Sequence, residues 1–290
     1  MKRSLLQRPL FRLLTSLFKP EKTFIVIQLW PVKTERRSAP FSLVDLLDEI
    51  AGRDLRTGDV LVISSKFVAI SEGRVVELES VVPSDYAVEL SSRHNIPAQL
   101  CELIVRESDE VLGGVVGFIL ASKDGMLSPN AGIDRSNIEP GRAVLYPRNP
   151  LESARAVVES MEFRRGIRIA AVICDSRLMP TRKGTTGVAL ASSGLEAVLD
   201  LRGKEDLFGN ILRVTSQAIA DDLCSAAQLV MGESDEAAPF VVIRGLDEGL
   251  IKGSEYPTGR FAVKPDQCVY MRSLGYRPRR TSLRASSHPS

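Results

Sequence analysis

Residues 168–190 read RIAAVICDSRLMPTRKGTTGVAL, and the opening run of this stretch decides how the chain folds. Six apolar residues, 169–174, are rich in β-branched side chains and bounded by polar ones. Such a run is too short for a helical period and predicts a buried strand. The run stops at Asp175-Ser176, and a loop carrying Arg177, Pro180, Arg182, Lys183 and Gly184 is expected after it. A carboxylate and a hydroxyl at a strand end, beside three cations and a flexible backbone, suit a metal–phosphate site. The carboxylate holds a hard divalent ion, the cations take phosphate oxygens, and glycine lets the main chain approach. The same residues also fit a strand entering a solvated loop, with Asp175 as a turn or cap residue. This stretch alone leaves both readings open.

Outward from it, short apolar runs predict further strands over 23–29, 60–64, 115–120 and 239–243, the last ending at Arg244-Gly245. Helical spacing is found at 42–51, with Ser42 as N-cap, and at 83–94, 97–108, 150–163 and 215–231. The last of these presents Ala218, Ile219, Leu223, Ala226, Ala227 and Val230 as a small-residue face for close packing, with Asp221 and Asp222 on its polar side. The acidic cluster 107–110 reads as solvated, and 202–206 as a polar turn. Lys66 follows the strand 60–64 and is a candidate phosphate contact, since one ammonium after a strand reaches into a cleft. In 128–137, SPNAGIDRSN, the residues Asn130, Asp134, Ser136 and Asn137 cluster around Gly132. Oxygen-rich groups of this kind suit a hard cation, and they are also ordinary turn formers.

A chain of 290 residues has ample length for a core. The net charge of +2 hides basic ends on an acidic body. Lys2, Arg3, Arg8, Arg12 and Lys19 stand at one end, and Arg272, Arg277, Arg279, Arg280 and Arg284 at the other, leaving 28 cations against 36 acids between. That distribution argues against a nucleic-acid binder, whose charge lies on the folded surface. Cys101, Cys174, Cys224 and Cys268 form no CxxC pair, and with only His94 and His288 beside them a structural zinc site is not expected. Free thiols fit a cytoplasmic protein. No apolar run approaches the roughly 20 residues that span a bilayer. Residues 1–22 form a basic amphipathic segment without secretory features, open to self-packing, partner contact or peripheral membrane contact. A body over 23–265 and a basic, disordered tail over 266–290 complete the organisation.

Taken together in this order, GDVLVISSK (58–66), EGRVV (72–76), NAGIDRSN (130–137), SAR (153–155), Asp175-Ser176, Arg202-Gly203…Asp206…Phe208-Gly209, IADDLCSAAQLVMG (219–232) and VVIRG (241–245) resemble the F420-0:γ-glutamyl ligase family. The resemblance covers about residues 23–250 and rests on the collinear set. It implies a two-lobed α+β fold with mixed sheets and packed helices, usually a homodimer. It implies GTP-dependent addition of L-glutamate to coenzyme F420-0 through an acyl phosphate, with Mg²⁺ or Mn²⁺ and with K⁺ as a further candidate ion. Asp134 and Asp175 are the implied metal ligands, with Ser176 at a threonine position beside the second. Lys66 and Arg182 are the implied catalytic cations, while Asn130, Ser136, Asn137 and Arg244 line the nucleotide site. Ligase chemistry on another carboxylate or amino acid, and a non-catalytic nucleotide-binding or regulatory role, are the alternatives.

The chain departs from the family pattern in two places. After the metal-site aspartate the family reads TFGRPWR-G-QTDVAIG, whereas this chain reads SRLMPTRKGTTGVALA: Pro180, Arg182, Gly184 and Thr186 persist, the Gly-Arg pair is gone, and Gly187 stands at the family's downstream aspartate. The family's HGFVCANAG becomes DGMLSPNAG, with Asp124 in place of its histidine. No flavin-reductase-like extension is expected.

Overall fold

The computed structural model describes residues 26–256 and 262–276. The expectations for residues 1–20 and for most of the basic tail lie outside them. The first strand, β1 (Gln28–Val32), overlaps the end of the apolar run at 23–29, of which 23–25 lie outside the described residues, and runs through Pro31. It lies at a sheet edge, where the missing proline N–H leaves no central ladder bond unmade. Helix α1 (Leu43–Ile50) is capped as expected: Ser42 Oγ accepts the Asp45 N–H at 3.2 Å, and Leu43, Leu46 and Leu47 are buried. Strand β2 (Val60–Ser64) passes directly into the short helix α2 (Ser65–Ser71). After β3 (Val75–Glu77) come helices α3 (Asp85–His94) and α4 (Ala98–Glu107), joined through Asn95 in the left-handed region at φ 54°.

A single strand over 115–120 does not form. Val116 and Gly117 are a hairpin tip between β4 (Glu110–Val115) and β5 (Phe118–Lys123), and Gly117 takes the positive φ of 87° that the turn needs. Strand β6 (Met126–Pro129) completes this small sheet, and β7 (Arg142–Val144) pairs antiparallel with β3. Glu107 is not a solvated acid either, because it pairs with Arg74 at 2.6 Å and Lys123 at 3.8 Å. Helix α5 (Pro150–Arg165) follows, with Asn149 as N-cap and Gly166 at its C-terminus.

Strand β8 (Ala170–Leu178) runs past the end of its apolar stretch. Backbone pairing with β9 (Thr185–Ser193) continues through Asp175↔Val188, Ser176↔Gly187 and Arg177↔Thr186, so the expected loop begins only after Leu178. Ladder bonds need backbone groups, not apolar side chains, which is why hydropathy misses this extension. A ribbon of β10 (Leu199–Asp200) and β11 (Ser216–Gln217) leads to α6 (Ile219–Met231), which starts later than 215 because Ser216 and Gln217 are spent on the ribbon. Strand β12 (Phe240–Arg244) and the short helix α7 (Val269–Ser273) end the described chain. No helix among the described residues is long and apolar enough to cross a membrane.

The larger lobe is a mixed sheet ordered β1-β12-β2-β8-β9, in which only β2 and β8 run parallel. Its strands alternate. Leu61, Ile63, Ala171 and Ile173 face α1 and α5, while Val60, Val62, Val172 and Cys174 face α6. Helix α6 lies close because its buried residues include Ala220, Cys224 and Ala227, and because a Cβ on Gly187 would collide with the Cys224 carbonyl. Asp221 is not a solvated acid: its Oδ1 accepts the Ala189 N–H at 2.8 Å, beside a bulge in the β8–β9 ladder. Burial pushes its carboxyl up. The smaller lobe, about residues 75–145, packs α3 and α4 with β4, β5 and β6 around its own core, including Leu90, Leu100, Ile104 and Ile119. The α+β, two-lobed expectation is met.

Candidate active site in the cleft between the lobes

Strands β2 and β8 are parallel neighbours in the register Ser64↔Cys174, so Ser65-Lys66 and Asp175-Ser176 arrive side by side at their C-terminal ends. Strand β12 runs the other way and begins there, so the segment 232–239 before it forms another wall. The smaller lobe closes the space with Asn130, Asp134 and Ser136. The resulting cleft has a volume of about 980 Å³, at the upper end of the usual range for ligand pockets.

One wall centres on Asp134. Its backbone is fixed by reciprocal hydrogen bonds with Val144 of β7, at 3.0 and 2.8 Å. The turn before it, Asn130-Ala131-Gly132, holds three successive positive φ angles. Glycine is required at the third, because a Cβ there would stand 2.6 Å from the Tyr146 ring. Lys66 Nζ reaches across from α2 to Asp134 Oδ2 at 2.6 Å and also donates to the Ser136 carbonyl at 3.0 Å and hydroxyl at 2.8 Å. Ser136 in turn donates its N–H and hydroxyl to Asp134 at 2.8 and 3.0 Å. Desolvation works against the Asp134 charge, but the Lys66 ammonium and these hydrogen bonds outweigh it and hold the carboxyl below its ordinary range.

The opposite wall centres on Asp175. Its Oδ1 accepts from Ser65 Oγ at 2.9 Å and its Oδ2 from Arg177 Nε at 3.0 Å. Arg177 also donates through Nη1 to the Leu127 carbonyl at 3.0 Å, while its Nη2 and the Tyr146 hydroxyl are both buried, with the guanidinium and the phenol near one another. Burial pushes the Tyr146 phenol well up, opposed in part by the Arg177 charge. Strand alternation sends Ser176 to the other face. There Ser176 donates to Glu233 at 2.6 Å and accepts from Gln228 at 3.1 Å, and Gln228 also bonds Glu233. Asn137 Nδ2 ties the smaller lobe to this wall by donating to the Ser234 carbonyl at 2.6 Å.

The cleft therefore gathers Lys66, Asp134, Ser136, Asn137, Asp175 and Ser176, all expected from the sequence. Asn130 lines it too, but its Oδ1 accepts the Ile119 N–H at 2.9 Å and so braces β5. Arg244 is elsewhere. Because β12 is antiparallel to β2, its last residue lies at the far end of the sheet. There Arg244 donates twice to the buried Asp59, both at 2.6 Å, and stacks over Trp30 at 4.7 Å. Arg182 sits exposed in the turn between β8 and β9, carried away from the cleft by the extension of β8. The sequence reading missed Ser65, the burial of Arg177, Glu233, and the exposed rim cations Arg36 and Arg37. Glu233 had a signal, since it follows Gly232 at the C-cap of α6.

Among the described residues no three His, Cys, Asp or Glu side chains form a ready-made metal cage. The oxygen donors of Asp134, Asp175, Ser176 and Glu233 are nevertheless the type a hard divalent ion selects. They fit such an ion, with Lys66 and Arg177 as the present counter-charges.

Carboxylates, cations and hydroxyls at the C-terminal ends of two parallel strands define a two-lobed α+β protein with a site suited to phosphate chemistry. The F420-0:Gamma-glutamyl ligase family matches residues 40–245, and the chain belongs to that family. It is 37% identical over 213 residues to the coenzyme F420:L-glutamate ligase of Methanothermobacter thermautotrophicus, covering 73% of this chain and 84% of that protein. Proteins of the same name from Methanopyrus kandleri and Methanocaldococcus jannaschii are each 36% identical, over 226 and 225 residues, 77% of this chain and 89% and 88% of theirs.

Proposed function

We propose that this chain is a carbon–nitrogen ligase that adds L-glutamate to coenzyme F420-0, using GTP and a divalent metal. The observation that carries the proposal is the Lys66–Asp134 pair spanning the cleft at the ends of β2 and β8, and membership of the ligase family supports it. In the reaction, a carboxylate oxygen of the precursor attacks the γ-phosphorus and GDP departs, leaving an acyl phosphate. The glutamate amine then attacks the acyl carbon, the amine loses a proton, and phosphate leaves with the electrons of the C–O bond. A carboxylate is a poor acyl donor until its oxygen is phosphorylated, so the site's task is to neutralise and align the transferring group.

Lys66 supplies a mobile positive charge that exchanges Asp134 for a phosphate oxygen. Ser136 and Asn137 bind along the nucleotide. Asp134, Asp175 and Ser176, with Glu233 beside the last, offer the donors for Mg²⁺ or Mn²⁺, which when bound neutralises phosphoryl charge as a Lewis acid. Arg182 and Arg244, outside the cleft, have no part in this assignment.

The test is calorimetric titration with GTP, then ATP, in excess Mg²⁺ or Mn²⁺, followed by phosphate release with glutamate and F420-0. GTP binding with precursor-dependent release is the expected result. Binding without release on these substrates would overturn the substrate pair, and no binding of either nucleotide would overturn the ligase reading.

A further inference from the structure

Arg135 stands between Asp134 and Ser136 in the chain but not in the cleft. Its two neighbours reach toward Lys66. Arg135 instead lines a side pocket of about 340 Å³ on the other face of the same turn. Asn130, Ile133, Asp134 and Ser136 border both spaces, so the pocket abuts the phosphoryl site. Buried side chains set its shape: Ile96 before α4, Leu100 in the first turn of that helix, and Ile133. Phe118 of β5 closes another side. Asn130 holds that strand against the turn, because its Oδ1 accepts the Ile119 N–H at 2.9 Å.

Apolar walls, one cation and a border on the reaction centre select a small ligand with a hydrocarbon stem and an anionic end. The volume lies at the lower end of the range for ligand pockets. It houses an amino acid, and is too small to bury a nucleotide or a deazaflavin with its side chain. Arg135 is exposed, and among the described residues it pairs with no carboxylate. Its guanidinium keeps its proton at any working pH and matches a carboxylate with two parallel hydrogen bonds.

We propose that this side pocket is the amino-acid subsite, in which Arg135 pairs with the side-chain carboxylate of the incoming glutamate, Phe118 and Ile133 bed its methylenes, and the amine points past Ser136 to the acyl phosphate. The inference rests on the reading of the cleft as a ligase site. It makes Arg135 the residue that separates glutamate from glutamine, since a neutral amide offers the guanidinium one acceptor oxygen and no charge.

The experiment measures phosphate release by the full-length protein with GTP, Mn²⁺ and F420-0, over a range of L-glutamate and then of L-glutamine concentrations. Calorimetry follows GTP affinity, and a thermal melt establishes that each variant is folded. Arg135→Met is expected to raise the KM for glutamate about tenfold or more and to shrink the preference for glutamate over glutamine by a similar factor. Its kcat at saturating glutamate and its GTP affinity are expected to stay within about twofold of wild type. Arg135→Lys, which keeps the positive charge, is expected to recover most of the preference. An unchanged glutamate KM and preference in Arg135→Met would overturn the proposal and leave the ligase reading standing on wild-type turnover. Lost GTP affinity with an unchanged glutamate KM would place the arginine on the nucleotide and overturn it too. Wild-type protein that binds GTP without releasing phosphate would overturn the substrate pair, and this assignment with it.

Discussion

The two walls of the cleft carry the same pair of charges and use them differently. On the smaller lobe, Asp134 is accessible and paired with a movable lysine. On the sheet, Asp175 is largely covered and paired with an arginine that is itself pinned by a carbonyl. A lysine on a flexible stem can trade partners, whereas a guanidinium fixed at two points holds one arrangement. The first pair is free to trade partners, and the second is held in one arrangement by its neighbours. What separates them is burial and the number of anchors on the cation.

Asp134→Asn gives the largest expected effect: at least a hundredfold loss of phosphate release, with Mn²⁺ affinity falling in calorimetry. Retained affinity would move the ion to the other wall. Lys66→Met is expected to lower turnover by about a hundredfold while leaving the melting curve little changed, since it removes one phosphate contact from an accessible pair. Asp175→Asn sharpens the contrast. It leaves Arg177 without its counter-charge and is expected to cost on the order of 2–3 kcal/mol in urea denaturation. Mn²⁺ affinity is expected to fall in that variant as well, since Asp175 is one of the oxygen donors offered to the ion.

Smaller effects test the scaffold on each side. Gly187→Val forces α6 off the sheet behind the Asp175 wall and is expected to cost about 1–3 kcal/mol in the same assay. In the smaller lobe, hydrogen bonds from the Ser84 hydroxyl and amide, then from Arg106, push the Glu102 carboxyl down to about 2 from its ordinary 4.5. A depressed carboxyl binds its proton more weakly in the folded state, so its contribution is complete above pH 4.5 and is lost as pH falls toward 2. Glu102→Gln is therefore expected to flatten the acid limb of the stability curve in that window, with little change at neutral pH.

Much of the site was legible in the chain. Lys66, Asp134, Ser136, Asn137, Asp175 and Ser176 were singled out from their positions after apolar runs and inside a turn, and all of them line the cleft. Arg177, Arg182 and Lys183 read as one cluster of loop cations because they are neighbours in sequence. The ladder between β8 and β9 separates them: Arg177 is buried in a strand, and Arg182 and Lys183 are exposed at the hairpin turn. Arg244 was misplaced for a related reason. A strand followed by Arg-Gly looks the same whichever way it runs, and only its antiparallel pairing with β2 sends the residue to the far edge.

By itself, the sequence determined helices α1 and α3 to α6, the core strands β2, β8 and β12, where α1 is capped, and which polar residues stand at the ends of buried runs. Those features depend on local periodicity and on neighbours a few residues apart. The tertiary structure decided which of those ends meet, that β8 outlasts its apolar stretch, and that one aspartate is left open while the other is held by a buried arginine. Pairing direction, burial and the partners of a charge are set by segments far apart in the chain, so no local pattern records them.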